Sequence, residues 1–133
     1  MNSLTLRTAV YCVSMAAMFS ALFNTQAATF SKLQLLMPGE TASPGSATGK
    51  TGTPTARIAG TPFNVTVTAV DTNWNVVSST DTVAIISSDT NAALPATAAL
   101  VAGTQTFSVI LKTSGSRTLT ATNITDSSKT NNT

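Results

Sequence analysis

Residues 63–77, FNVTVTAVDTNWNVV, constrain the fold of this chain more than any other segment. In the first half of this segment, Asn or Thr separates apolar residues that recur at every second position, namely Phe63, Val65, Val67 and Ala69. Side chains of a β-strand alternate between its two faces, so this period of two predicts a half-buried antiparallel strand over 63–70. The polar residues from Asp71 to Asn75 then predict a turn.

Shorter apolar runs predict further strands, separated by turn residues. Thr82–Ser87 and Thr106–Lys112 are the clearest, and weaker patterns lie at Lys32–Met37, Val76–Val77, Ala98–Val101 and Arg117–Ile124. No helical period appears after residue 27, and sequential antiparallel pairing needs only short connections apart from the first loop. Short strands at this spacing predict an all-β chain that folds as an antiparallel β-sandwich of about seven strands. The predicted inward-facing residues are Leu33, Leu35, Phe63, Val65, Val67, Val83, Ile85, Leu94, Phe107, Val109, Leu111 and Leu119.

Residues 1–27 have the layout of a secretory signal peptide. Arg7 is the only charge, an apolar run follows over 9–23, and a polar stretch ends at Ala27, so we expect cleavage after Ala27 or Ala28. The alternative is an uncleaved anchor, but the apolar run is shorter than the roughly 20 residues that cross a bilayer. The sequence therefore predicts a secreted or cell-surface protein whose mature chain has no membrane span.

The predicted domain, residues 28–133, divides into three parts. Residues 28–60 contain the first strand and a long excursion, Pro38–Gly60, with five glycines and three prolines. Such a composition argues against a long regular element, so we expect a surface excursion with a short strand near Thr55–Ile58. Residues 61–125 hold the core strands, and 126–133 form a polar tail.

Composition argues against catalysis and against nucleic-acid binding. The chain has no histidine, and its one cysteine, Cys12, lies in the predicted signal peptide. The mature chain thus lacks the commonest general base and the thiol nucleophile, and we expect no enzyme. The seven Lys and Arg residues and five Asp and Glu residues are scattered, without the basic stripe that nucleic acids require.

The turn at Asp71–Asn75 is the first candidate for recognition. Its D-x-N-x-N spacing is that of a calcium loop, but Val76 and Thr82 occupy the glycine and glutamate positions of an EF-hand. A looser calcium site remains open, in which Asp71 and Asn73 act with Asp89 or Asp126. Otherwise Asp and Asn simply suit the turn geometry, and we expect no other cofactor.

Trp74, the only tryptophan, lies in the same turn. It packs over the end of the sandwich in one interpretation. In the other it is exposed and, with Asn73 and Asn75, contacts a sugar or a partner protein, as aromatic residues often do at interfaces.

Three segments in order resemble the bacterial immunoglobulin-like repeats of large surface and secreted proteins, which include the invasin and intimin-like adhesins. They are AGTPFNVTVTAVDTNWNVV, TVAIISSDTNAALP and GTQTFSVILKTSGSRTLTAT, and the resemblance covers residues 59–124. The chain differs at Trp74-Asn75, where that family often has Gly-Asn. The resemblance implies an immunoglobulin-like sandwich that serves as a non-catalytic spacer or adhesive unit. It also implies partners such as further repeats, a cell-surface protein or a glycan.

Two other functions remain open from the sequence. One is a carbohydrate-binding module that uses the Asp71–Asn75 turn. The other is a self-assembling fibre subunit, in which Phe30–Met37 is added as an edge strand to the sheet of a neighbour.

Overall fold

The computed structural model describes residues 27–133 of the chain. The predicted signal peptide lies outside the described residues, apart from Ala27. The described residues contain no helix, which confirms the all-β prediction. The strands are β1 (Lys32–Leu36), β2 (Glu40–Ala42), β3 (Lys50–Gly52), β4 (Phe63–Val70), β5 (Thr82–Ser87), β6 (Ala98–Ala99), β7 (Thr104–Val109) and β8 (Leu119–Asn123).

The strands form two antiparallel three-stranded sheets and one hairpin. The first sheet has the order β1-β4-β7, the second has the order β6-β5-β8, and β2 pairs with β3. Most of this pairing is not sequential, contrary to the expectation from the sequence, because β4 and β5 lie in different sheets. The inner faces of both sheets contribute to one buried cluster, an arrangement consistent with a β-sandwich.

The predicted core is largely confirmed. Of the inward-facing residues, Leu33, Val67, Val83 and Val109 are fully buried, and each such side chain contributes about 1.5–3 kcal/mol. The prediction that Leu94 faces inward is wrong, because Leu94 is 39% exposed. The bridge between Ala93 and Ile110 holds this part of the chain beside the edge of β7. Leu100, which the alternation did not single out, is buried in the core instead.

Two of the shorter predicted strands are wrong. Thr55–Ile58 is exposed and forms no strand, and Val76–Val77 is reduced to a single bridge between Val76 and Val70. The short strands of the excursion are instead β2 and β3. Gly39 and Gly52 meet closely at the base of this hairpin, since a Cβ on Gly52 would clash with the carbonyl oxygen of Gly39.

A buried carboxylate binds the chain just beyond β7, which ends earlier than predicted. Asp89 is 3% exposed, and its Oδ2 accepts the backbone N–H groups of Lys112 at 2.7 Å and Thr113 at 2.9 Å. Its Oδ1 accepts the Thr113 hydroxyl at 2.7 Å, and this hydrogen bond is the main reason why the pKa of Asp89 lies well below its usual range. Asp89 thus anchors the residues beyond β7, whose ladder with β4 ends at Val109, opposite the first residue of β4, Phe63.

The predicted polar tail connects the two sheets. The carbonyl of Thr130 accepts the Leu33 N–H of the first sheet at 3.0 Å, and the carbonyl of Asn132 accepts the Ala121 N–H of the second sheet at 2.8 Å. The side chain of Asn132 reaches back to the first sheet, where its Oδ1 accepts the Leu35 N–H at 2.8 Å. The tail therefore runs between β1, to which it is parallel, and β8, to which it is antiparallel.

A tight turn before β7 has an unfavourable residue. Val101 and Thr104 exchange two backbone hydrogen bonds of 3.0 Å, so only Ala102 and Gly103 form the turn. Both have positive φ, 50° for Ala102 and 86° for Gly103. Such a hairpin turn favours Asn-Gly, because Asn tolerates the left-handed conformation better than alanine does.

We therefore expect Ala102→Asn to raise the free energy of unfolding by about 0.5–1 kcal/mol. The measurement is chemical denaturation followed by Trp74 fluorescence. Ala102 is exposed, so Ala102→Val serves as the control and should lower stability, because a β-branched residue fits poorly at positive φ. Equal midpoints for the two variants would contradict the turn geometry.

Candidate functional site

Asp71 itself closes the turn that follows β4. Its Oδ1 accepts the backbone N–H groups of Asn73 at 2.7 Å and Asn75 at 2.9 Å, and its Oδ2 accepts the side-chain amide of Asn75 at 3.0 Å. The hydrogen bond from the Asn75 side chain is the main reason why the pKa of Asp71 is lowered from its ordinary value. The carboxylate is therefore charged at neutral pH and engaged within the turn.

Trp74 lies in this turn with a left-handed backbone, at a φ of 68°. Its indole packs against Gly49, where a Cβ would clash with the ring atoms Cγ, Cδ2 and Cε3. The ammonium of Lys32 lies 3.5 Å from the ring centroid and donates to the carbonyl of Thr72 at 3.1 Å. Gly49 and Lys32 cannot share one face of the ring at these distances. They therefore cover opposite faces, and the ring offers mainly its edges to solvent.

The loop that reaches Trp74 is the tip of the β2–β3 hairpin, residues 43–49. Gly45 donates its N–H to the carbonyl of Asn73 at 2.7 Å, and the side-chain amide of Gln34 donates to the carbonyl of Gly49 at 2.7 Å. Gln34 and its cross-strand partner Thr68 are buried although they lie on the outer face of the first sheet. The loop and Trp74 thus form a third layer on this face.

The predicted binding residues share the turn but differ in accessibility. Asn73 and Asn75 are exposed, whereas Trp74 is half-buried between Gly49 and Lys32. These contacts favour packing of Trp74 over exposure, but the indole packs on the loop at the outer face of the first sheet and not over the end of the sandwich as predicted. The sequence offered one signal for it, the glycines of the excursion, but nothing in the pattern indicated which glycine would meet the indole.

The candidate calcium ligands are only partly brought together. Asp89 lies at the end of the sandwich opposite to Asp71, because it follows β5 and binds the residues after β7. Asp126 lies at the same end as Asp71, but it pairs with Lys129 at 3.2 Å. Hydrogen bonding from Ser128 lowers the pKa of Asp126 to about 2. Among residues 27–133, no group of three or more His, Cys, Asp or Glu side chains is placed to hold a metal ion.

The two ends of the sandwich carry the clefts. The turn end is the end where β1 begins and β4 finishes, and the groove end is the end where β1 finishes and β4 begins. The turn end has a cleft of about 590 Å³ beside Asp71 and another of about 500 Å³ beside Asp81 and Asp126. The groove end has two adjoining grooves of about 240 and 230 Å³, which share Met37, Pro54 and Arg117. The sequence did not predict any of them.

No protein-family model, curated protein or solved structure matches this chain. In the part of the chain that the structure describes, no helix is long and apolar enough to cross a membrane.

Because the indole of Trp74 packs directly against Gly49, we expect Gly49→Ala to lower the free energy of unfolding and to shift Trp74 emission to longer wavelength. The added methyl group must displace the indole, and such overpacking costs about 1–3 kcal/mol in addition to the strain at a φ of +74°.

Gly45→Ala is the matched control for this experiment. Gly45 has a similar φ of +79°, but a Cβ there meets nothing within 4 Å. The control therefore carries only the backbone strain and should leave the emission of Trp74 unchanged. If both variants lose the same stability and keep the same emission, Trp74 does not pack on Gly49.

Proposed function

We propose that this chain is a secreted or cell-surface structural module with an immunoglobulin-like fold, which acts as a spacer or adhesive unit and has no catalytic role. The resemblance of residues 59–124 to bacterial immunoglobulin-like repeats and the layout of residues 1–27 support this proposal. Its partners would be further modules of the same kind, a cell-surface protein or a glycan.

The observation that carries the proposal is the position of the first and last described residues. Residues 27–31 lie beside Asp71–Asn73 at the turn end, where they line the 590 Å³ cleft. Thr133 lies beside Thr120, and it lines the groove with Met37 and Arg117 at the groove end. The first and last described segments therefore lie at opposite ends of the sandwich, which suits a module that separates what lies on either side.

The way in which the first and last segments pair supports a mechanical role. β1 and the tail are adjacent and parallel, and a bridge joins Lys32 to Thr130. Tension between the two ends of the chain pulls these segments past each other, so that the bonds of Leu33 and Leu35 to the tail are loaded together. Bonds loaded together must break together, whereas bonds at the opening of a hairpin break one after another.

Two contacts bear on the alternative functions. A sugar-binding platform needs an open aromatic face, and both faces of Trp74 are covered by Gly49 and Lys32. A fibre built on an edge strand needs free backbone on β1, and β1 is paired with β4 on one side and with the tail on the other. These contacts favour the spacer over both alternatives.

Single-molecule stretching tests the proposal. Pulled from its two ends, the chain is expected to give a discrete force peak and then release about 3.3–3.6 Å for each unfolded residue. The control is the same chain held at Thr41 and Thr51, which lie opposite each other in the hairpin and separate bond by bond at lower force. End-to-end extension at no higher force than this control would contradict the mechanical role.

A further inference from the structure

One exposed tip projects at the groove end. We define the tip as Arg57 and Ile58, which lie in a stretch from 51 to 62 where every residue is exposed. Ile58 is 79% exposed, the largest value among the exposed large apolar side chains. The tip is nevertheless held in place, because Thr55 donates its N–H to the carbonyl of Pro38 and Gly60 donates to that of Leu111, both at 2.7 Å.

A cleft of opposite charge lies at the turn end. We define the acidic cleft as the 500 Å³ cleft whose walls include Asp81, Asp126, Lys129 and the half-buried ring of Phe30. Lys129 pairs with Asp126 and lies 5.4 Å from the centroid of the Phe30 ring, so Asp81 is the acid of this cleft that has no ion-pair partner among the described residues. Oδ2 of Asp81 accepts the side-chain amide of Asn123 at 2.8 Å. Within the described part of the chain, Oδ1 of Asp81 accepts no hydrogen bond, so one carboxylate oxygen is free for an incoming guanidinium.

The distribution of charge makes the two ends complementary. At the groove end, Arg57, Lys112 and Arg117 are exposed and form no ion pair with another described residue. The acids at that end are engaged internally, since Glu40 pairs with Lys50 at 3.0 Å and Asp89 binds backbone amides. The turn end instead holds three acids and two lysines, which are Asp71, Asp81, Asp126, Lys32 and Lys129. Lys129 pairs with Asp126, so the negative charge left there comes from Asp71 and Asp81 against Lys32.

Exposed apolar side chains are also concentrated at the ends. Val76, Val101 and Ile124 lie at the turn end, and Ile58 and Leu94 lie at the groove end, while Ile86 is exposed on β5. Apolar side chains surrounded by polar residues are typical of surfaces that bind proteins.

We propose that the Arg57–Ile58 tip of one copy docks in the acidic cleft of a second copy of this chain. Arg57 pairs with Asp81, and Ile58 packs against the ring of Phe30. The contact joins unlike surfaces, so it leaves a free tip and a free cleft at the two ends of each dimer and builds an open head-to-tail chain. It goes beyond the proposed function, since it links separate molecules without a covalent tandem.

The experiment is sedimentation equilibrium of the purified chain up to about 1 mM, because a contact of this small size is expected to be weak. The average mass should rise with concentration beyond that of a dimer. It should fall back when the salt concentration is raised about tenfold, because exposed ion pairs are screened.

Two variants each block one side of the proposed contact, either the tip or the cleft. Arg57→Glu with Ile58→Ser removes the tip, and Thr80→Arg fills the cleft from a position that is exposed and makes no hydrogen bond in the described structure. Each variant alone is expected to stay monomeric. An equimolar mixture should form a one-to-one complex and nothing larger, because only one intact tip and one intact cleft remain.

The matched controls are Lys112→Glu and Thr106→Arg, which make the same changes of charge at exposed positions outside the tip and the cleft. Thr106→Arg should associate as the unaltered chain does. Lys112→Glu lowers the charge of the groove end but keeps the tip, so it should weaken association less than the tip variant does. A synthetic peptide of residues 53–62 should compete with the association, a readout that needs no folded variant.

Three results would overturn the proposal. They are an unaltered chain that stays monomeric at about 1 mM, blocked variants that still associate, and a mixture that forms no complex. All three are independent of the stretching experiment, so a force peak without association would leave the spacer role standing and refute the docking.

Discussion

Asn132 makes the contact on which the sandwich depends, because it bonds to both sheets at once. Its carbonyl accepts the Ala121 N–H of β8, and its side-chain Oδ1 accepts the Leu35 N–H of β1, both at 2.8 Å. Apolar burial draws the two inner faces together, but it has no direction and does not fix how one sheet lies on the other. Hydrogen bonds are directional, and those of Asn132 set this relation along one side.

A second set of contacts covers the outer face of the first sheet. Gln34, Thr68 and Val70 are buried there, away from the core, and the glycine-rich loop at 43–49 covers this face. The left-handed turn at Trp74 places the indole against Gly49. The turn and the loop therefore stabilise each other's conformation. Through these contacts the turn at Asp71–Asn75 holds the loop at 43–49 against the first sheet.

The sequence correctly predicted the strands that carry a clear run of apolar residues. The alternation at Phe63–Val70 and the apolar run at Thr82–Ser87 gave both strands with the bounds that the structure has. The tail was missed because its bonds go to residues distant in the chain. The β2–β3 hairpin pairs locally, but its three-residue strands, ETA and KTG, have no apolar alternation that would have marked them. The early end of β7 was also missed, because its ladder ends where its partner β4 begins at Phe63, more than forty positions away in the chain.

Amide hydrogen exchange of Leu35 in an Asn132→Ala variant tests this account most directly. The Leu35 N–H loses its acceptor, and leaving a buried donor unpaired costs about 1–3 kcal/mol, so its exchange should quicken and the unfolding midpoint should fall. Asn131→Ala, at the exposed neighbouring position, should change neither quantity. If Asn132→Ala also leaves Leu35 exchange and the midpoint unchanged, the tail does not hold the two sheets together.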